Sequence, residues 1–109
     1  MARDLTALFA PRSIAVVGAS RHRDKIGYIL LHNLLVNEFQ GTIFPVNRTA
    51  EAVHGIQAWP SVKDIPHEVD MAVIVVPAEH VLQVAEECGQ KGVKGLVVIT
   101  AGFSGRSNA

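Results

Sequence analysis

Cysteine is nearly missing from this chain of 109 residues, with Cys88 standing alone. One thiol excludes an internal disulfide, and its place within a helical pattern reads as packing in a reducing compartment. There is no excess of one charge, because ten Lys plus Arg offset ten Asp plus Glu, and no basic stripe interleaves with aromatics. The electrostatic footprint of a nucleic-acid binder is therefore lacking, and no nucleic-acid partner is expected. No unbroken apolar run approaches the roughly 20 residues that a membrane helix needs. The opening "MARDLTALFAPR" carries an acidic residue and no long apolar region, so it does not read as a secretory signal. A cytoplasmic protein without membrane association is the expectation. Repeats, low-complexity tracts and charge runs are missing as well. At 49% hydrophobic residues, the length supports one compact core with no catalytic domain beside it. We expect a single domain over residues 1–109, either a stand-alone module or a fragment.

Catalytic signatures are equally sparse. Of the five histidines, no pair has metal-ligand spacing, and no nucleophile, base and orienting acid can be picked out. His22 falls in a charged loop, His32 on the polar side of a helix, His54 and His67 in connections, and His80 in a first helical turn. No catalytic residue and no metal ligand is expected.

What is present is an alternation of strand-length apolar runs with helical patterns. Strands are expected at "SIAVVG" (13–18), "GTIFPVN" (41–47), "DMAVIVVP" (70–77) and "GLVVIT" (95–100). Helices are expected at 26–39, with Ile26, Leu30, Leu34 and Phe39 in one stripe widened by Ile29, Leu31 and Leu35 and Gly41 as terminator, and at 78–92, with Val81, Val84, Ala85 and Cys88 on one face. Between them, a short helix near Glu51 to His54 and a helical turn at Ser61 to Ile65 are expected. This is the rhythm of βαβ units feeding a parallel sheet. The fold class expected is α/β, a Rossmann-like parallel sheet in the order 3-2-1-4 with helices on both faces and its last strand missing. In that order the chain reverses between strands 1 and 4, and a ligand would lie beyond their carboxyl ends, bordered by "GASRHRDKIG", "TAGFSG", "VNRT" and "VPAEH".

The joint after the first strand has the chemistry of an anion site. Gly18 allows a tight turn and close ligand approach, Ala19 and Ser20 keep the loop small, and the loop feeds a helix N-terminus. Ser20, Arg21, Arg23 and Lys25 add a hydroxyl and positive charge. The spacing from Gly18 to Gly27 matches neither G-x-G-x-x-G nor the P-loop, so neither motif applies. A solvated charged connection stays open for Arg21, His22 and Arg23. At the tip of the second strand, where an NAD site wants an acid, the chain has Asn47 and Arg48. An arginine there pairs with a phosphate on the ribose, which points to coenzyme A or, less well, NADP. A solvated Arg48 without a ligand is the alternative.

The segments "LFAPRSIAVVGAS", "GTIFPVN", "GIQAWPSVKDIPHEVDMAVIVVPAEHV" and "EECGQKGVKGLVVITAGFSG" together resemble the CoA-binding domain at the front of nucleoside-diphosphate-forming acyl-CoA synthetases, the ADP-forming acetate-CoA ligases among them. The same domain is similar to the N-terminal part of the succinyl-CoA synthetase alpha subunit, and it precedes an acetyltransferase module in some bacterial lysine acetyltransferases. The resemblance implies coenzyme A as cofactor, with Gly18, Ala19, Ser20 and Arg21 receiving its phosphates and Gly27 opening the helix behind them. It implies Val46, Asn47 and Arg48 along the adenine and 3'-phosphoribose, and Val76, Pro77 and Ala78 as an apolar wall. Ile99, Thr100, Ala101, Gly102 and Phe103 would flank the pantetheine arm. The glutamate that follows the Ile-Thr pair in succinyl-CoA synthetases is Ala101 here, so no carboxylate role carries over. The implied function is a CoA-binding module serving ligase or acetyltransferase chemistry done by other domains or subunits, the parent being an acid-thiol ligase of the ADP-forming type. An NADP-binding oxidoreductase fragment and a ligand-free regulatory domain are the alternatives; a homo-oligomer stays open.

Overall fold

The computed structural model of the chain describes residues 10–99. Its main sheet is built from β1 (Ser13–Val17), β2 (Thr42–Val46), β5 (Met71–Ile74) and β6 (Gly95–Val98), all parallel. Helix α1 (Ile26–Val36) joins β1 to β2, and α2 (Ala78–Lys91) joins β5 to β6. The strands β3 (Ala52–Val53) and β4 (Ile56–Gln57) form a separate antiparallel hairpin. A 3-10 turn follows at Val62–Asp64, with the Ser61 side chain accepting from the Lys63 N–H at its start.

The α/β parallel architecture with helices on both faces is as expected, but the strand order differs. It runs β2-β1-β5-β6, so in terms of the four long runs it is 2-1-3-4 and not 3-2-1-4. Crossover handedness explains the difference. Right-handed connections that travel in opposite directions along a sheet lie on opposite faces. Leu31 of α1 packs with Ile14 and Val16 on one face, whereas Val62, Ile65 and Val69 pack with Ala15, Val17 and Ala72 on the other. The link from β2 to β5 therefore steps back over β1. Composition could not show this, since the link contains no long helix to assign to a face. The reversal falls between β1 and β5, and β6 lies one strand away from β1.

Every residue of β1 is buried, as a strand with neighbours on both edges and cover on both faces requires. The outer edge of β2 receives a short extended segment: Trp59 N–H donates to the Pro45 carbonyl and the Asn47 N–H to that of Trp59. Pro45 is tolerated in β2 because its nitrogen faces this outer side and not β1, where a ladder donor would be missed.

Two local expectations fail for identifiable reasons. The segment expected as a helix near Glu51 is the β3–β4 hairpin, whose two turn residues, His54 and Gly55, have φ of 55° and 75°. Two successive positive φ angles define the tight turn that matches strand twist. Helix α1 stops at Val36, and it is Glu38, at φ 59°, that takes the left-handed conformation there, not Gly41. Gly41 serves a close approach, since a Cβ would overlap the Arg12 carbonyl, the acceptor of the Thr42 N–H at 2.9 Å. The apolar face of α1 packs as expected through Leu30, Leu31, Leu34, Leu35 and Phe39, but its first-turn members Ile26 and Ile29 are exposed.

The face of α2 behaves as expected, with Cys88 buried and Val84 packed against the same core. Burial, with the neighbouring Glu87 carboxylate adding to it, pushes the Cys88 thiol up from 9.0 to about 11. In the unfolded chain the thiol ionises near its ordinary value, so this contribution is complete below pH 9 and disappears as pH rises through 11. We predict that Cys88 resists thiol reagents at pH 8 in the native state and reacts at the rate of global unfolding. Alkaline urea melts should show a loss of stability above pH 9 that is smaller in Cys88→Ala.

Candidate functional site

At the carboxyl end of β1 the chain turns at Gly18, with φ 102°. A side chain here is forbidden twice over, by the left-handed backbone and by the Val75 carbonyl, which a Cβ would overlap. Val75 N–H in turn donates to the Val17 carbonyl at 2.7 Å, so the tips of β1 and β5 are pressed together. Gly27, buried in the first turn of α1, meets the Gly18 carbonyl in the same way. The two glycines divide the labour of a dinucleotide-loop motif, tight turn and close helix approach, although their sequence spacing belongs to none.

The neighbouring tip of β2 closes the other side. The N–H groups of Gly18 and Ala19 both donate to the Val46 carbonyl, at 3.1 and 3.2 Å. Asn47 Nδ2 donates to the Ala19 carbonyl at 2.8 Å, while its Oδ1 accepts from the N–H groups of Thr49 at 2.9 Å and Ala50 at 2.8 Å. Asn47 thereby holds two loops in register.

What remains free is polar and positive. The Ser20 hydroxyl accepts from the His22 N–H at 3.0 Å, leaving its own proton to donate. Among the described residues, the Ser20 and Arg21 N–H groups have no acceptor. Helix α1 has no side-chain cap and no acid in its first turn, though Asp24 stands just before its N-cap Lys25, and the positive end of its dipole lies at this joint. Arg21, Arg23, Lys25 and Arg48 are all exposed. Among the described residues none of these four makes an ion pair; the pairs found join Lys94 to Asp70 and Glu68 at the opposite end of the sheet.

Two adjoining clefts open at this mouth. The smaller, about 450 Å³, is lined by Arg21, His22, Asn47, Thr49 and Ala50. The larger, about 670 Å³, shares Arg21, Thr49 and Ala50 and adds Arg23, Tyr28 and the hairpin residues Glu51 to Gly55 except Val53. Of the residues expected at a site, Gly18 to Arg21 and Val46 to Arg48 are brought together here, with Lys25 exposed at the start of α1. Half-buried Val76 and exposed Pro77 and Ala78 follow β5, across from Gly18. Ile99 is farther out, its N–H donating to the Ile74 carbonyl; Thr100, Ala101, Gly102 and Phe103 lie outside the described residues. Sequence reading placed Thr49 at the border of the site within "VNRT" but did not single it out, missed Ala50, and assigned His54 to a plain connection. Among the described residues no group of three or more His, Cys, Asp or Glu is placed to hold a metal, and no helix is long and apolar enough to cross a membrane.

The bidentate role of Asn47 can be tested by Asn47→Asp, which keeps the acceptor and deletes the donor to Ala19. We predict a stability loss of about 1–3 kcal/mol by urea titration. Gly27→Ala, which drives α1 away from β1, should cost about as much or more.

Coenzyme A requires donors for a pyrophosphate, a cation for a ribose phosphate and a narrow apolar flank, and the chemistry of this mouth fits it. Residues 12–108 match the family model described as CoA binding domain. The chain is 54% identical over 100 residues to the ADP-forming acetate-CoA ligase II subunit alpha of Pyrococcus furiosus, covering 91% of this chain and 21% of that protein. It is 50% identical over 101 residues to the ADP-forming acetate-CoA ligase II of Archaeoglobus fulgidus, covering 93% of this chain and 15% of that one. Among solved structures, the apo form of the dinucleotide-forming acetyl-coenzyme A synthetase 1 of Ca. Korarchaeum cryptofilum superimposes with a TM-score of 0.88 at 51% identity, over 92% of this chain and 22% of that one. The chain thus spans roughly a fifth or less of the length of the curated relatives it matches. From the glycine-tight strand tips and the family match together, this chain belongs to the CoA binding domain family, whose cofactor is coenzyme A.

Proposed function

We propose that this domain holds coenzyme A at the tips of β1, β2 and β5 and offers its thiol to acyl chemistry performed by other domains or subunits of an ADP-forming acid-thiol ligase. The observation that carries the reading is electrostatic. Arg21 and Arg23 line the clefts, Lys25 at the start of α1 and Arg48 beside Asn47 are exposed, and none of the four is ion-paired among the described residues, Glu51 being the one carboxylate on the lining; the described ion pairs sit at the far end of the sheet. Unpaired positive charge gathered at one place favours a polyanion.

In this reading the free N–H groups of Ser20 and Arg21, the Ser20 hydroxyl and the Arg21 guanidinium bind the pyrophosphate. Lys25 adds charge at the helix start, and Gly18, Ala19 and Gly27 keep the floor low enough for the approach. Arg48 pairs with the phosphate on the ribose, with Val46 and Asn47 fixing the loop that presents it. Val76, Pro77 and Ala78 form the wall along which the pantetheine leaves, and Ile99 continues it. The coenzyme supplies a thiol nucleophile; the residues here orient it and hold its charged end. Because β5 separates β1 from β6, the arm runs past β5, and the expected seat between strands 1 and 4 becomes a seat between β1 and β5. A ligase partner domain or subunit and a cytoplasmic setting belong to the same proposal, and the similarity to acetate-CoA ligases supports it.

Calorimetry on the full chain tests this. We predict that CoA binds and that dephospho-CoA binds about 10-fold or more weakly, as loss of a hydrogen bond to a charged group implies. Arg48→Ala should reduce CoA to the affinity of dephospho-CoA. Equal affinity for the two ligands in the unaltered chain would remove the role given to Arg48, and binding of NADPH in preference to CoA would overturn the reading.

A further inference from the structure

Helix α1 is apolar on the side turned away from the core as well as on the side that packs. Leu31 and the leucines around it seat the helix on the sheet, yet Ile26, Ile29 and Val36 are exposed at 39%, 43% and 56%. At about 100° per residue, these three and Asn33 fall in one outward stripe. Their successive spacings of three, four and three residues are the a and d pattern of a helix seam. No Lys, Arg, Asp or Glu lies anywhere in Ile26–Val36. A surface helix carries its charged residues on the outward side, and one that is apolar all round is a helix that another element covers.

The stripe restricts what can cover it. Asn33 sits in its middle, and while its main-chain carbonyl accepts from Asn37, its side-chain amide has no partner among the described residues. Lipid cannot satisfy an amide. A facing helix can, and a single asparagine in such a seam is what fixes the register of paired helices. Asparagine is also its own complement, because the amide both donates and accepts.

The ends of the helix are complementary to each other. Before it, Arg21, Arg23 and Lys25 outnumber Asp24, and after it comes Glu38; its first turn holds no acid and its last turn no base. On an antiparallel second copy, the cationic, dipole-positive start of one helix meets the anionic, dipole-negative end of the other, and the two-fold axis makes this contact twice. Ile26 then lies level with Val36 of the second copy and Lys25 with its Glu38, both pairs centred at Leu31 and His32, which puts Asn33 within one turn of the axis. The helix has 11 residues and is therefore about 16 Å long. Two such stripes bury less than the roughly 800 Å² per partner of a stable complex, so the pairing is weak.

We propose that the outward stripe of α1 is a self-association surface, on which a second copy of this chain docks antiparallel about a two-fold axis beside Asn33. This stands apart from the proposed function, since the stripe lies opposite the side of α1 that packs on the sheet and its readout needs no coenzyme.

Sedimentation of the full chain without coenzyme, over about 10 μM to 1 mM, reads weak association directly. We expect reversible exchange between monomer and dimer with no larger species. Ile29→Glu and Val36→Glu, each at an exposed position, should lower the association constant about 10-fold or more by placing unpaired charge in the seam. Glu38→Lys should weaken it as well, and Lys25→Glu combined with Glu38→Lys should restore it, which a general loss of folding could not do. A short bismaleimide reads the orientation, and Cys88, being buried, does not compete. Asn33→Cys should join to its own copy. Ile26→Cys, whose two copies lie about 15 Å apart along the axis, should join only to Val36→Cys in a mixture. A chain that stays monomeric at about 1 mM, as it would if the stripe served a different subunit or domain, overturns the proposal. So does a dimer that both glutamate variants leave intact, or joining of Ile26→Cys to itself.

Discussion

The arrangement depends on one constraint, the approach of bare backbone at Gly18. Three neighbours converge on it: the Val75 carbonyl from the tip of β5, the Val46 carbonyl from β2, and Gly27 of α1 resting on its own carbonyl. A methyl group at either glycine would have to displace main chain, not a flexible side chain, and main chain in a packed sheet has nowhere to go. The consequence reaches beyond stability. With the helix start drawn against the strand tip, the free amides of the following loop and the helix dipole act at one place, and the Asn47 side chain locks the adjoining loop to the same point through Ala19.

The two ends of the sheet are treated differently by the charge distribution. At the amino ends, Asp70 accepts from the Arg12 N–H at 2.7 Å and pairs with Lys94 at 3.4 Å, while the Ser13 hydroxyl ties Glu68 and Asp70 backbone groups together. These contacts close that end internally. At the carboxyl ends, the comparable side chains are exposed and unpaired among the described residues. Like charges gathered this way favour an anionic partner over self-closure.

Much of this was legible in the sequence, and the lapses have physical causes. Continuous apolar runs flanked by Gly and Pro identified the strands, and Gly18, Arg21, Asn47 and Arg48 fell where a parallel sheet puts its ligand. The order of strands was not legible, because it turns on which face receives Val62, Ile65 and Val69, and those residues carry no helical period to declare it. Nor was the hairpin: Val53 and Ile56 are too short a pair for alternation to register, and His54-Gly55 is an uncommon version of a turn usually made by Asn-Gly. Nor were the hydrogen bonds of Asn47 to Ala19, Thr49 and Ala50, since sequence reveals a polar group at a strand tip without revealing which of its hydrogen bonds are already used.

That misreading of the hairpin matters for the site. A helix at Glu51 to His54 would have turned these side chains through successive 100° steps and given the second loop no fixed edge. Two short strands instead hold Val53 in the core and leave His54 and Gly55 at a rigid tip facing Tyr28. The cleft between α1 and the hairpin is therefore walled on both sides by elements anchored in the same apolar cluster, with Leu31 fixing one and Val53 the other. Neither wall can yield without disturbing residues that are almost wholly buried. Flexible loops of the same composition would carry the same charge without a fixed edge between α1 and the hairpin.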